Sequence, residues 1–327
     1  MSQNAPTLAQ VAAHAGVSLA TASRALNGST RKVNPELQER VLASASALGY
    51  SANVQAQAVA RGTSNVVALV VGDIADPYFA AIASGVVRVA DERGLIVTIT
   101  ATGPYGGEPS LAREEAALDA LRGQRPRAVV LAGSRVAGAS ADAGPVGRVA
   151  VIGGGAPQLR TVEVDNRGGA AALARELIAL GYRDFAVVAG PEELLTVRDR
   201  VEGFRSVAGD VPVVHAEFSR AGGHRAMSAL LESGARPECV FAVADVVALG
   251  VLSALREAGI EPGSGMAVAG FDDLPLAADV TPALTSVALP LAEIGARALE
   301  LALADDPVAP EAPIAGEVRL RASTPGR

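Results

Sequence analysis

The stretch Ser18-Leu-Ala-Thr-Ala-Ser-Arg24 combines side chains suited to an encounter with duplex DNA. The Arg24 guanidinium can donate two parallel hydrogen bonds to guanine O6 and N7 in the major groove. Leu19 and Ala20 are apolar and suit thymine methyl groups. Ser18, Thr21 and Ser23, with the free N–H groups of a helix start, suit phosphate oxygens. A plain three-helix bundle with Arg24 as a solvated charge fits the same spacing. Other chemistry is suggested far downstream. The chain holds six Phe, four Tyr and no Trp, so the placement of aromatics is informative. Tyr78, Phe79, Phe218 and Phe271 each follow an apolar run that reads as a strand. Aromatic faces can stack on the CH surfaces of sugars, and they also fill cores. Phe79 and Phe218 are read as pocket residues and Phe271 as a core residue.

Catalytic and cofactor chemistry finds no comparable support. Gly153-Gly-Gly155 completes no dinucleotide-binding glycine pattern, and no phosphate-binding P-loop occurs. His14, His215 and His224 have no metal-ligand spacing, and no serine sits in a nucleophile elbow. No enzyme, metal or cofactor is therefore expected.

The elements around Arg24 follow from local signals. Thr7 with Gln10 forms a capping box for a first helix carrying Leu8, Val11 and Ala12. Gly16 supplies the turn. Ser18 caps a second helix running to about Leu26, with Ala22, Ala25 and Leu26 inward. Asn34-Pro35-Glu36 opens a third helix with Leu37, Val41, Ala45 and Leu48 on its inner face. Two short helices joined by a tight turn, with a supporting third, make a helix-turn-helix.

The remaining chain alternates strand and helix patterns. Apolar runs predict strands at 66–71, 95–100, 128–132, 149–152, 185–189, 211–215, 239–244 and 266–270. Helical patterns lie between them at 80–93, 111–122, 168–180, 197–206, 222–232 and 246–258, with a last one at 293–303. This predicts doubly wound parallel sheets in two lobes with a cleft at the strand ends. The length of 327 residues agrees with more than one domain. The net charge of −7 alone argues against nucleic acid, yet residues 1–64 carry five basic against two acidic side chains. Half the residues are apolar, which excludes disorder as the main state. The single Cys239 excludes an intramolecular disulfide. The polar start and an apolar run of 239–255 interrupted by Asp245 predict neither a secretory signal nor a membrane span. A cytoplasmic protein is expected.

The run from Thr7 to Asn27, continued through Val41 and Leu48-Gly49-Tyr50, resembles the N-terminal signature of the lactose-repressor (LacI/GalR) family. Further matches extend the resemblance over nearly the whole chain. It implies an all-α helix-turn-helix head at 1–50, a hinge helix at 51–64, and a two-lobed, periplasmic-binding-protein-like α/β body at 65–327. The lobes would be about 65–162 with 289–308, and about 163–288 with 309–327. The hinge would be capped by Asn53, keep the family's small residue at Ala56, and place Val59 where the family wedges a leucine into the minor groove. Valine is shorter and β-branched, so its wedge would be shallower.

The resemblance also implies effector contacts. Asp73-Ile-Ala-Asp-Pro-Tyr-Phe79 resembles the family's D-I-x-N-P-F-F, with Asp76 replacing Asn. Asp165 falls in the V-x-x-D-N step, and Arg198 and Arg200 in the R-x-x-G-F/W element. Asp272 falls in G-F-D-D, and Asp245 in the N-D step, where Ala244 replaces the ligand-facing Asn. A structural ion pair is the alternative for the charged members. Leu284-Thr-Ser-Val287 and the stretch from Arg319 to Thr324 resemble the crossover and closing motifs, and no leucine heptads follow. The implied protein is a cytoplasmic regulator, a repressor, that binds double-stranded operator DNA as a homodimer under control of a sugar or sugar phosphate. The rival is a sugar-binding module without DNA function.

Overall fold

A computed structural model describes residues 6–27, 33–50, 64–103, 111–133, 148–153, 159–306 and 311–327. The chain divides into two compact units, Met1–Asn65 and Val66–Arg327.

The first unit holds α1 (Leu8–His14), α2 (Leu19–Asn27) and α3 (Pro35–Ala47). The Thr7 side chain accepts from Gln10 N while the Gln10 side chain accepts from Thr7 N, at 3.4 and 2.8 Å, completing the expected box. Gly16 makes the α1–α2 turn at φ 62°, where a Cβ would be strained. The Asn34 side chain accepts from Glu36 N, and Pro35 occupies the first helical position. Val11, Ala12, Ala15, Ala22, Ala25, Val41 and Ala45 form the small core. Arg40 ties α3 to the turn by donating to the Ala15 carbonyl at 2.6 Å.

The second unit contains two parallel sheets. The first has the order β2-β1-β3-β4-β5, built from β1 (Val66–Asp73), β2 (Ile96–Gly103), β3 (Ala128–Ala132), β4 (Arg148–Ile152) and β5 (Arg160–Val162). Central β1 pairs in register with both neighbours, Val67 lying opposite Val97 and Ala128. The connecting helices are α4 (Pro77–Glu92) and α5 (Leu111–Gln124). The second sheet has the order β7-β6-β8-β9, from β6 (Phe185–Ala189), β7 (Val213–His215), β8 (Cys239–Ala242) and β9 (Ala267–Ala269). Its helices are α6 (Asn166–Ala179), α7 (Leu195–Ala208), α8 (Arg220–Glu232), α9 (Asp245–Glu257) and the short α10 (Pro275–Asp279). Strands β1, β3, β4, β6, β8 and β9 are largely buried, which explains their continuous apolar runs, while the edge strands β2 and β7 are partly exposed.

Several features differ from expectation, among them β5 and the short α10, which no apolar run or helical pattern marks. Helix α4 begins at Pro77 rather than near Ala80, because Asp76 caps it by accepting from Tyr78 N at 2.9 Å. Strands β7 and β8 are shorter than their apolar runs. An antiparallel ribbon of β10 (Ser286–Ala288) and β11 (Glu317–Arg319) joins the parallel sheets. Between these strands lies α11 (Leu291–Leu303), which returns to the first sheet and crosses α4. At that crossing a Cβ on Gly85 would lie 1.7 Å from the Ala292 carbonyl oxygen. Only glycine allows the two backbones to meet there.

Candidate functional site

The head presents its predicted contact residues at the start of α2. Ser18 Oγ accepts from Thr21 N at 3.2 Å and meets Thr21 Oγ1 at 2.8 Å, so two candidate phosphate ligands first serve as the helix cap. Leu19 is 54% exposed, a costly placement for an apolar side chain unless a partner covers it. Ala20 is exposed and Ser23 half-buried. Arg24 lies back along its helix, its Nε donating to the Ala20 carbonyl at 3.0 Å. Asn27 is the last residue of α2. Asn53, Ala56 and Val59, the hinge residues, lie outside the described residues.

In the body the candidate site sits at the carboxyl ends of the strands. Each sheet reverses its winding direction once, between β1 and β3 and between β6 and β8, and such switch points open a crevice for ligands. At the first, the Phe79 ring packs over Gly72, one residue before the end of β1, and Gly133, which follows β3. Tyr78 meets Phe79 edge-on, with ring centroids 5.1 Å apart. At the second, Arg200 projects from α7 and is only 2% exposed. Its Nε donates to Asn166 Oδ1 at 2.8 Å and Nη1 to the Val243 carbonyl at 2.7 Å. Nη2 donates to Asp272 Oδ1 at 2.8 Å, and the guanidinium lies 3.8 Å from the centroid of the Phe271 ring. Three separate segments, the start of α6, the residue after β8 and the turn after β9, thus grip one cation, which keeps a buried charge tolerable.

The electrostatics extend across the crevice. Burial pushes the Asp272 carboxyl up to about 6 despite the opposing pull of Arg200. Burial likewise raises Asp76; Asp73 adds to this, and the Tyr78 N–H bond and Arg200 oppose it. The Tyr78 hydroxyl is raised first by burial and then by Asp272. Asp76 and Tyr78 from the first sheet therefore share one field with Arg200 and Asp272 from the second.

The remaining expected contacts are distributed unevenly. Asp73 bonds locally to Ala75 N at 2.9 Å. Asp165 caps α6, accepting from Gly168 N at 2.7 Å. Phe218 is half-buried against Gly190, which follows β6. Two expectations need correction. Arg198 is exposed, and residues two apart on a helix do not face the same way, so it is turned from the cluster that holds Arg200. Asp245 is fully buried, and both its oxygens are bonded inside the second sheet's layer, to Leu274 N and Ser286 Oγ, each at 2.7 Å. It faces no crevice. Conversely, Asn166 and Asp76 belong to the cluster although neither was expected there. Asn166 adjoins the Asp165 cap, and Asp76-Pro77 carries the same start signal that was legible in Asn34-Pro35. Phe271 is core, as read, but its face also carries Arg200.

A helix-turn-helix joined to a two-sheet body with a crevice defines a ligand-responsive DNA-binding regulator. Residues 7–53 match the description of bacterial regulatory proteins of the lacI family, and residues 174–324 that of a periplasmic-binding-protein-like domain. The chain is 32% identical over 308 residues to the HTH-type transcriptional regulator CelR of Thermobifida fusca, covering 89% of this chain and 88% of that protein. It is 30% identical over 311 residues to the regulator GalR of Escherichia coli, covering 91% and 88%. Among solved structures, a lac repressor dimer bound to operator and the anti-inducer ONPF superposes with a TM-score of 0.84 at 22% identity, covering 98% of this chain and all of that one. The chain belongs to the LacI family of bacterial regulatory proteins. It is a sequence-specific DNA-binding transcriptional regulator rather than an enzyme.

Proposed function

We propose that this protein represses transcription from a near-palindromic operator and that a sugar or sugar phosphate in the body crevice controls its hold on DNA. The buried Arg200–Asp272 pair carries the reading, because Tyr78 and Asp76 of the opposite sheet share its field. Arg200 and Asp272 would meet ligand hydroxyls, Tyr78 and Phe79 would stack on the ring, and Asp73, Asp165 and Phe218 would form the rim. The reading gains support from a solved complex of the regulator CelR with cellobiose, 29% identical over 97% of this chain. A ribose operon repressor from Halalkalibacterium halodurans is 30% identical over 294 residues.

In the head, Arg24, Leu19 and Ala20 would read bases, while Thr7, Ser18, Thr21, Ser23 and Asn27 position the backbone. Asn53, Ala56 and Val59 would form the hinge. The boundaries 1–50, 51–64 and 65–327 serve as head, hinge and body. A cytoplasmic homodimer is the proposed assembly. Ile74, Val87, Ile96 and Ile99, on and beside α4 and the edge strand β2, are exposed apolar residues that a second copy would cover. No helix among the described residues is long and apolar enough to cross a membrane.

Melting of the full chain, followed with cellobiose, galactose, ribose and their phosphates, tests the effector reading. A ligand that raises the melting temperature should also change operator affinity. A ligand that does the first without the second would refute control of DNA binding.

A further inference from the structure

The turn from Phe271 to Leu274, which carries Asp272 to Arg200, is unusual in its backbone. Asp272 has φ 106° and Asp273 φ 52°, two consecutive side-chain-bearing residues in the left-handed region. Such conformations persist only where the surroundings over-determine them. Bonds from Asp272 N to the Val287 carbonyl, from Leu289 N to the Asp272 carbonyl and from Arg321 to the Asp273 carboxylate hold part of the turn, and a further set leads to one residue. Asp245 N donates to the Phe271 carbonyl at 2.8 Å, and Asp245 Oδ2 accepts from Leu274 N at 2.7 Å. Asp245 Oδ1 accepts from Ser286 Oγ at 2.7 Å, and that hydroxyl in turn accepts from Asp273 N at 3.0 Å. Asp245 therefore grips both ends of the turn directly and its middle through Ser286. It makes no contact with Arg200, whose partners are Asn166, Val243, Asp272 and Phe271.

We propose that Asp245 is a positioning residue of the effector site: through Ser286 and Leu274 it holds the strained turn that aims Asp272 and the Phe271 ring at Arg200. Because Ser286 belongs to the β10–β11 ribbon, the same brace ties the site to a chain segment crossing between the sheets. That the Arg200–Asp272 pair meets the effector rests on the function proposed above; the bracing does not.

The Arg200 Nε–H, bonded to Asn166 in a buried setting, is a direct reporter. In 15N-labelled full-length protein its signal is assigned by its loss in Arg200→Lys. In Asp245→Ala and Ser286→Ala its hydrogen exchange should accelerate at least about tenfold, while the backbone N–H groups of β6 keep their wild-type rates. Ser286→Ala removes the acceptor of Asp273 N and the hydroxyl that donates to Asp245 Oδ1 while leaving Asp245 in place, and it carries the test if Asp245→Ala does not fold. Unchanged Arg200 Nε–H exchange in a variant whose Leu274 or Asp273 N–H has accelerated would overturn the proposal. The measurement needs no effector. Failure of cellobiose, galactose and ribose, and of their phosphates, to shift the wild-type melting temperature would count against the effector reading alone.

Discussion

The head and the body use polar side chains in opposite ways. In the head, Thr7, Ser18 and Asn34 sit at helix starts, satisfy local N–H groups and stay close to water. The interior there is small and mostly apolar, with Ser44 its one buried polar residue among the described residues. In the body, Arg200, Asp272, Asp245 and Asn166 are all buried, and their side chains hold together segments 29 to 72 residues apart in sequence. A surface that must meet many phosphates keeps its polar groups exposed and loosely held. A crevice that must recognise one small molecule needs its groups fixed in advance, and burial with complete hydrogen bonding fixes them.

Substitution sizes should separate the two regions. Arg200→Ala leaves Asp272 buried without its counter-charge and should lower the body's unfolding free energy by about 3–5 kcal/mol, read by urea denaturation at pH 8. A loss below 1 kcal/mol, the scale of an exposed pair, would show that the pair is far better hydrated than its burial implies. Arg24→Ala should leave stability unchanged and weaken binding by about 1–3 kcal/mol at one operator position, measured by anisotropy across base-substituted duplexes. A uniform loss over all sequences would reassign Arg24 to phosphate contact.

The third test uses pH. Burial first, then the nearby Asp272, pushes the Asp245 carboxyl up to about 8. The folded body then holds a proton that the unfolded chain releases above about pH 4. Stability should therefore fall as pH rises from about 4 to 8 and level off beyond. Asp245→Asn cannot take up that proton, so the slope between pH 6 and 8 should flatten by up to about 1.4 kcal/mol per pH unit. An unaltered slope would remove Asp245 as its source. The smallest effect belongs to the head: Thr7→Ala breaks the capping box and should cost about 1 kcal/mol, with no change in effector response.

The two regions also differed in how plainly they could be read. The head's elements follow from residues within four or five positions of one another, so caps, turn and inner faces all emerged near their observed places. In the body, buried parallel strands announced themselves as apolar runs, and β3 and β6 fall on their expected residues. The antiparallel ribbon did not announce itself: its three-residue strands have no periodicity and exist because the chain returns to pair with them. Tyr78, Phe79, Arg200 and Asp272 were singled out and lie at the strand ends. Asp245 was singled out too, but as a ligand contact. An acid in a motif looks the same whether it faces a crevice or a buried turn.

By itself the sequence determined the kinds of element, their order and the charge division between a basic head and an acidic body. These rest on local propensity and hydrophobic periodicity, which act over a few residues. Only the tertiary structure decided which charges meet. It turned Arg198 outward while enclosing Arg200 two residues later, and brought Asn166, Val243 and Asp272 to that guanidinium. It also made Asp245 the brace of a strained turn. Such choices depend on contacts between residues dozens of positions apart, where low dielectric makes each unpaired polar group costly and each completed network specific.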